Sequence, residues 1–133
     1  METHGPRRIL IVANKSVATP SLIEEVTRRS AAGACQLALL IPDASDPAVA
    51  AWTLRRARKL LSRAVGLPVE GIVAEGDDPY AGIAAALRGA HYDEILISTL
   101  PEPGSQWLRD GLPARVETLG TPVTVVSAAP VAS

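Results

Sequence analysis

Polar residues that could bind an anion follow two apolar segments of the chain. After "RILIVA" comes "NKSVATP", where Asn14 offers a hydrogen-bond donor and acceptor and Lys15 a positive charge. After "EILIST" comes "LPEPGSQWLRDGLP", a loop rich in proline and glycine. The residues here that could surround an anion are Ser98, Thr99, Gly104, Ser105 and Arg109. Polar residues also collect in the loops of any soluble domain, so these residues alone support a binding site and an ordinary loop equally well.

Other kinds of site have less support. A hydrolytic triad needs a histidine beside Ser98 or Thr99, but His91 precedes their strand, in the predicted last turn of a helix, and is expected roughly 20 Å away. In "GDDP", Asp77 and Asp78 stand at a helix start, where capping explains them better than a divalent metal, which needs further oxygen ligands. The glycine fingerprint of dinucleotide-binding folds is absent after the first strand, and no Walker sequence occurs.

Bulk properties narrow the function classes. The 133 residues fit one domain, 47% of them are apolar and none is Phe, so the core must consist of Ala, Val, Leu and Ile. A formal charge of −1 gives no general attraction to nucleic acid or to an anionic membrane. Cys35 is the only cysteine, which excludes an intrachain disulfide. Its apolar neighbours in "ACQLALLI" predict that it is a small buried residue. Without a signal sequence or a long apolar run, a cytoplasmic protein is expected.

Apolar segments alternate with helical patterns, which indicates parallel strands joined by right-handed crossovers. The predicted strands are Arg8–Ala13, Leu37–Ile41, Val69–Ala74, Glu94–Thr99 and Pro122–Ser127. One α/β sandwich with helices on both faces follows. In such sheets ligands bind beyond the carboxyl ends of the strands, where the winding reverses, so the loops after the first and fourth strands should be neighbours.

Four helices are predicted from capping residues and spacing. The first opens at "TPSLIEE", the second follows Asp46 and runs to about Val65, the third is capped by Asp78 and runs to about Arg88, and the fourth takes in Pro113 to about Thr118.

The first two helices carry clear apolar stripes. In the first, the expected buried residues are Leu22, Ile23 and Val26, and the expected ion pairs on the solvent side are Glu24–Arg28 and Glu25–Arg29. In the second, one face is expected to hold Leu54, Ala57, Leu61 and Ala64, and the opposite arc Arg55, Arg56, Arg58, Lys59 and Arg63. This basic arc could meet an acidic partner, but the preferred interpretation is a solvated face.

Three motifs resemble the universal stress protein family over nearly the whole chain. They are the basic-flanked strand "RRILIVAN", the turn "VAEGDDPYAGI", which matches the family's V-x-x-G-x-P with one additional residue, and the strand "TPVTVV". The resemblance implies a single domain over residues 1–133 with loose tails at 1–6 and 128–133. It also implies a Rossmann-like, three-layer α/β/α sandwich with a five-stranded parallel sheet in the order 3-2-1-4-5.

The nucleotide-binding branch of that family carries an ATP motif after the fourth strand: Gly, two residues, Gly, nine residues, Gly, then Ser or Thr. Laid without gaps on this chain, these positions are Ser98, Pro101, Gly111 and Leu112, and the family's Asp at the end of the first strand falls on Asn14. The spacing is kept but the chemistry is not. Pro101 has no N–H for a phosphate oxygen, and the Leu112 side chain cannot form a hydrogen bond.

The resemblance also implies that Ala13, Ile41 and Gly76 line the same pocket. Gly104 and Ser105 could form a shifted turn, and Lys15 or Arg109 could neutralise charge, so partial compensation is conceivable. ATP binding is therefore expected to be altered or lost, no cofactor is firmly predicted, and an adenine nucleotide, ATP or AMP, is the candidate ligand.

Three functions remain open at this point. The first is a non-catalytic module that binds a small-molecule ligand or transmits a stress signal, with altered or lost ATP binding. The second is an interaction domain without nucleotide, and the third, ranked last, is an adenine-nucleotide hydrolase. Family members commonly dimerise through the last strand, so a homodimer through Pro122–Ser127 is expected, with neither nucleic acid nor membrane as a partner.

Overall fold

A single sheet organises the chain. The computed structural model describes residues 7–13, 20–44, 47–75, 78–99 and 111–127. Its strands are β1 (Arg7–Val12), β2 (Cys35–Ala44), β3 (Val69–Glu75), β4 (Glu94–Thr99) and β5 (Val123–Ser127). All neighbouring pairs are parallel, in the order β3-β2-β1-β4-β5. This confirms the predicted fold class and strand order.

The helices connect successive strands, as the alternating pattern predicts. They are α1 (Pro20–Ala32), α2 (Pro47–Val65), α3 (Pro79–Gly89) and α4 (Leu112–Glu117). Asp78 is confirmed as the cap of α3, because its carboxylate accepts a hydrogen bond from the Tyr80 N–H at 3.1 Å. Asp46, expected just before the second helix, lies outside the described residues.

The core has two halves, one on each face of the sheet. Along β1, Ile9 and Ile11 belong to the cluster under α1 and α2, whereas Leu10 and Val12 belong to the cluster under α3 and α4. All four side chains are fully buried. A central strand covered on both faces needs apolar residues at consecutive positions, which explains the uninterrupted run "ILIV".

Some local predictions need correction. β2 extends past the predicted end at Ile41, because its pairing with β3 continues through a register shift that accommodates Pro42. Ala64 is exposed and does not join the apolar face of α2. Cys35 is only half-buried at the amino end of β2, and its thiol donates to the backbone carbonyl of Gly33 at 3.4 Å.

Gly71 sets the distance between α2 and β3. A Cβ built at this position would lie 2.6 Å from Cδ of Arg58 and 2.9 Å from Cδ2 of Leu54. The absence of a side chain therefore lets the stem of Arg58 cross the strand, where its Nε donates to the Val69 carbonyl at 2.7 Å.

Substituting Gly71→Ala should lower the free energy of unfolding by about 1–3 kcal/mol, because Leu54 and Arg58 must shift to make room. Urea unfolding measures this difference. Gly33→Ala is the matched control, since a Cβ there meets nothing within 4 Å and a change within about 0.5 kcal/mol is expected. Equal stability of the two variants would contradict the close approach of α2 to β3.

Candidate functional site

The carboxyl ends of β1 and β4 meet where the winding of the sheet reverses. Val12 pairs with Ile97, so the next residues, Ala13 and Ser98, lie beside each other at this edge. Both are buried. The structure thus brings together the ends of the two strands whose loops carry the predicted anion-binding residues.

The remaining described positions of the predicted site are spread along this edge and into the core. Thr99 ends β4 opposite Ser127, and Ile41 is buried in β2 opposite Val73. Gly111 precedes α4 with φ +69°, a left-handed conformation that favours glycine. Leu112 is only 1% exposed and belongs to the apolar cluster under α3 and α4.

Seven predicted site residues lie outside the described residues, and their roles stay predictions. They are Asn14, Lys15, Gly76, Pro101, Gly104, Ser105 and Arg109. Of the predicted site, the structure therefore describes the strand residues and the start of α4.

His91 lies at the other edge of the sheet from Ser98. It follows the end of α3, not its last turn as predicted, and its Nε2 is 3.1 Å from a carboxylate oxygen of Asp93. Since β4 separates the two residues, His91 is far too distant to activate the Ser98 hydroxyl. Among the described residues, no group of three His, Cys, Asp or Glu could hold a metal ion.

A buried ion cluster lies at the amino edge, at the first residue of β4. The Glu94 side chain is 8% exposed, and Arg29 of α1 donates to both its oxygens, Nε to Oε1 at 2.9 Å and Nη2 to Oε2 at 2.7 Å. Thr124 of β5 donates to Oε2 at 3.1 Å, and Arg7 of β1 lies 3.5 Å from Oε1. Arg29 also pairs with Glu25 on its own helix.

This geometry determines the electrostatics of the cluster. The hydrogen bond from Arg29 holds the pKa of Glu94 below its ordinary value, although burial acts in the opposite direction. The same bond raises the pKa of Arg29. A cavity of about 430 Å³ opens beside the pair, but Arg29 is already neutralised by carboxylates, so the cavity offers little positive charge to an anionic ligand.

The sequence signal for this cluster is a lone acidic residue at the start of an otherwise apolar central strand. The sequence pattern predicts the Glu25–Arg29 pair on the solvent side of α1. The pair is confirmed, but Arg29 is only 19% exposed because its guanidinium reaches the sheet. Arg28 pairs with Glu25, three residues away, instead of with Glu24 as predicted.

A comparison with solved structures identifies the same fold. One similar structure is described as "Crystal structure of universal stress protein in complex with cAMP". It matches 94% of this chain and 100% of its own chain with a TM-score of 0.68 and 17% sequence identity. At this identity the likeness establishes the universal stress protein-like fold and no more. No protein-family model matches the sequence, and neither does any curated protein.

Within the described ranges, no helix has both the length and the apolar character required to cross a membrane.

Glu94→Gln should lower the free energy of unfolding by about 1–3 kcal/mol near pH 7, because the glutamine amide has no charge and only one accepting oxygen, so one of the two hydrogen bonds from Arg29 is lost. The difference should shrink in acid. The pKa of Glu94 is lower in the folded than in the unfolded chain, so its contribution is complete above the ordinary glutamate pKa of 4.5 and is lost as the pH falls through the folded-state value.

Urea midpoints of wild type and variant between about pH 7 and about pH 3 measure this dependence. Glu117→Gln is the control, because Glu117 is exposed on α4 and should change little at either pH. A constant difference between wild type and Glu94→Gln across the pH range would show that the carboxylate charge is not the stabilising feature.

Proposed function

We propose that this chain is a non-catalytic, universal stress protein-like module that binds a small-molecule ligand beside the carboxyl ends of β1 and β4, with altered or lost ATP binding. The observation that carries the proposal is Leu112. It occupies the position where the resemblance expects a hydroxyl, and its side chain is buried among Leu10, Ile97 and Val116. The side chain therefore supplies no hydrogen bond to a phosphate.

The number of lost donors determines which nucleotide can still bind. Pro101 lacks an N–H at another motif position, so a triphosphate forfeits at least two contacts, each worth about 1.5–3 kcal/mol if charge-assisted. A ligand with one phosphate needs fewer hydrogen-bond donors from the protein. The solved universal stress protein in complex with cAMP supports an adenine monophosphate as the class to test, and AMP or cAMP should bind better than ATP.

The proposal is tested on purified protein. Small molecules released by denaturation are identified by absorbance and mass, and the protein is then titrated with ATP, AMP and cAMP while its thermal midpoint is followed. A larger shift with AMP or cAMP than with ATP is expected. Stoichiometric co-purifying ATP would contradict the proposal, and no shift with any nucleotide would favour an interaction domain.

Asn14→Ala should lower the affinity for the nucleotide that binds by about ten-fold, equivalent to about 1.4 kcal/mol. The reason is that the side-chain amide in the loop after β1 would no longer contact the ligand. Isothermal titration measures the affinity. Gln36→Ala is the matched control, since this exposed amide lies near the amino end of β2. Unchanged affinity of Asn14→Ala would exclude the loop after β1 from the pocket.

The second candidate function is an interaction domain that acts through homodimerisation. β5 is one of the two edge strands of the described sheet, and Val125 on it is exposed. An apolar, β-rich edge is a liability that pairing with a second copy removes. A hydrolase ranks last, because His91 lies at the other edge of the sheet from Ser98, too far away to act as its base.

Light scattering across a concentration series should give a mass above that of the monomer, and Val125→Lys should shift it toward the monomer by placing a charge on the pairing edge. Thr118→Lys is the control, because Thr118 is exposed after α4 and off the edge strand. A monomer mass at every concentration for the wild-type protein would contradict dimerisation.

A further inference from the structure

The charges of the chain are unevenly distributed. Five of the thirteen Lys and Arg residues lie in α2, which contains no Asp or Glu, so this helix carries +5 and the rest of the chain −6. The five are Arg55, Arg56, Arg58, Lys59 and Arg63. Each is exposed. Net charge near zero therefore conceals a strongly basic face, here called the α2 basic face and defined by these five residues.

The charges of the α2 basic face are not neutralised by the described part of the chain. None of the five forms an ion pair there. Arg28 and Arg29 of α1, by contrast, both pair with Glu25. The helix dipole favours a cation such as Arg63 in the last turn, but its influence fades within one turn and does not account for Arg55 or Arg56.

One of these cations is held in place at a cavity. Arg58 passes over Gly71 and donates through Nε to the Val69 carbonyl at 2.7 Å, a contact that fixes the plane of its guanidinium. A cavity of about 320 Å³ lies beside it, lined by Arg55, Arg58, Lys59, Ser62, Pro68 and Val69. Three cations therefore surround one shallow cavity, one of them is held in place, and guanidinium groups bind carboxylates in a bidentate manner.

Apolar surface accompanies the charge. Trp52, Arg56, Lys59 and Arg63 are spaced four, three and four residues apart, so they lie along one outward stripe of about 16 Å. Trp52 is 53% exposed and lies under the Arg56 guanidinium, 4.9 Å from the ring centroid. Trp and Arg are the residues most enriched at the energetic centres of protein interfaces.

We propose that the α2 basic face is a docking surface for an acidic segment of a protein partner. Carboxylates of that segment pair with Arg55, Arg58 and Lys59 around the cavity, and an apolar residue of the segment covers Trp52. Charge complementarity fixes the sign of the partner, and the exposed Trp52 ring favours a polypeptide over a simple anion. The surface is separate from the strand-end site and does not depend on the proposed function.

The width of the face favours a short segment. The rest of the chain carries a charge of −6, so a nucleic-acid duplex or an anionic bilayer, which is far wider than one helix, gains no attraction from it. A peptide that follows the stripe over about 16 Å meets mainly α2.

The test uses a fluorescein-labelled peptide of paired Glu and Leu residues, with fluorescence anisotropy as the readout. Saturable binding at low salt is expected, and it should weaken as the salt is raised from about 0.05 M to about 0.3 M. The double variant Arg55→Gln and Lys59→Gln should lose about ten-fold in affinity, about three-fold for each exposed pair. Trp52→Ala should lose at least about five-fold with this peptide and little with one in which Ser replaces Leu.

The matched control is the double variant Arg28→Gln and Arg88→Gln, which removes the same charge from exposed positions on α1 and α3. Its affinity should stay close to that of the wild type, and circular dichroism confirms that each variant is folded. Three results would overturn the proposal: no saturable binding to the wild type, equal losses in the two double variants, or tighter α2-dependent binding to a single-stranded RNA or to phosphatidylserine vesicles.

Discussion

The arrangement of this molecule depends on one buried charge, the carboxylate of Glu94 at the start of β4. A carboxylate removed from water is costly unless hydrogen bonds and an opposite charge replace the solvent. Arg29 supplies both through two parallel donors, and Thr124 supplies a third. Because these partners come from α1 and β5, the cost of burial is offset only when helix, central strand and edge strand occupy their native positions together.

That constraint distinguishes the two edges of the sheet. At the amino edge, side chains of α1, β1, β4 and β5 converge on Glu94, and the charges there are used to hold the elements together. At the carboxyl edge, Ala13 and Ser98 form the buried end of two neighbouring strands, and the polar residues belong to the loops beyond them. In sheets of this architecture ligands bind at the carboxyl edge, whereas the ion cluster that holds the described elements together lies at the amino edge.

The fold could be predicted from the sequence because its signals are local or periodic. The apolar runs place β1 and β4 within one residue of their observed bounds, and "DDP" gives the cap of α3. The Glu94 cluster could not be predicted in this way, since Arg29 and Glu94 are 65 residues apart and only the strand order brings them together. For the same reason the sequence pattern places Arg29 on the solvent side of α1, whereas in the structure its guanidinium binds Glu94 of the sheet. The sequence predicts the candidate site as a position in the fold, but it does not predict a ligand, because the spacing of the loop residues carries no such regularity.

Gly71 connects the packing of the sheet to its outer surface. The missing side chain brings α2 close to β3 and lets the stem of Arg58 cross the strand. Gly71 therefore serves the packing of the sheet and also allows the Arg58 guanidinium to be held at the cavity. An exposed arginine ordinarily loses side-chain entropy when it binds a partner. Arg58 has already lost much of that freedom in the folded protein, which lowers the cost of a further contact. The α2 basic face therefore combines concentrated charge with one preorganised donor, and a solvated helix requires neither feature.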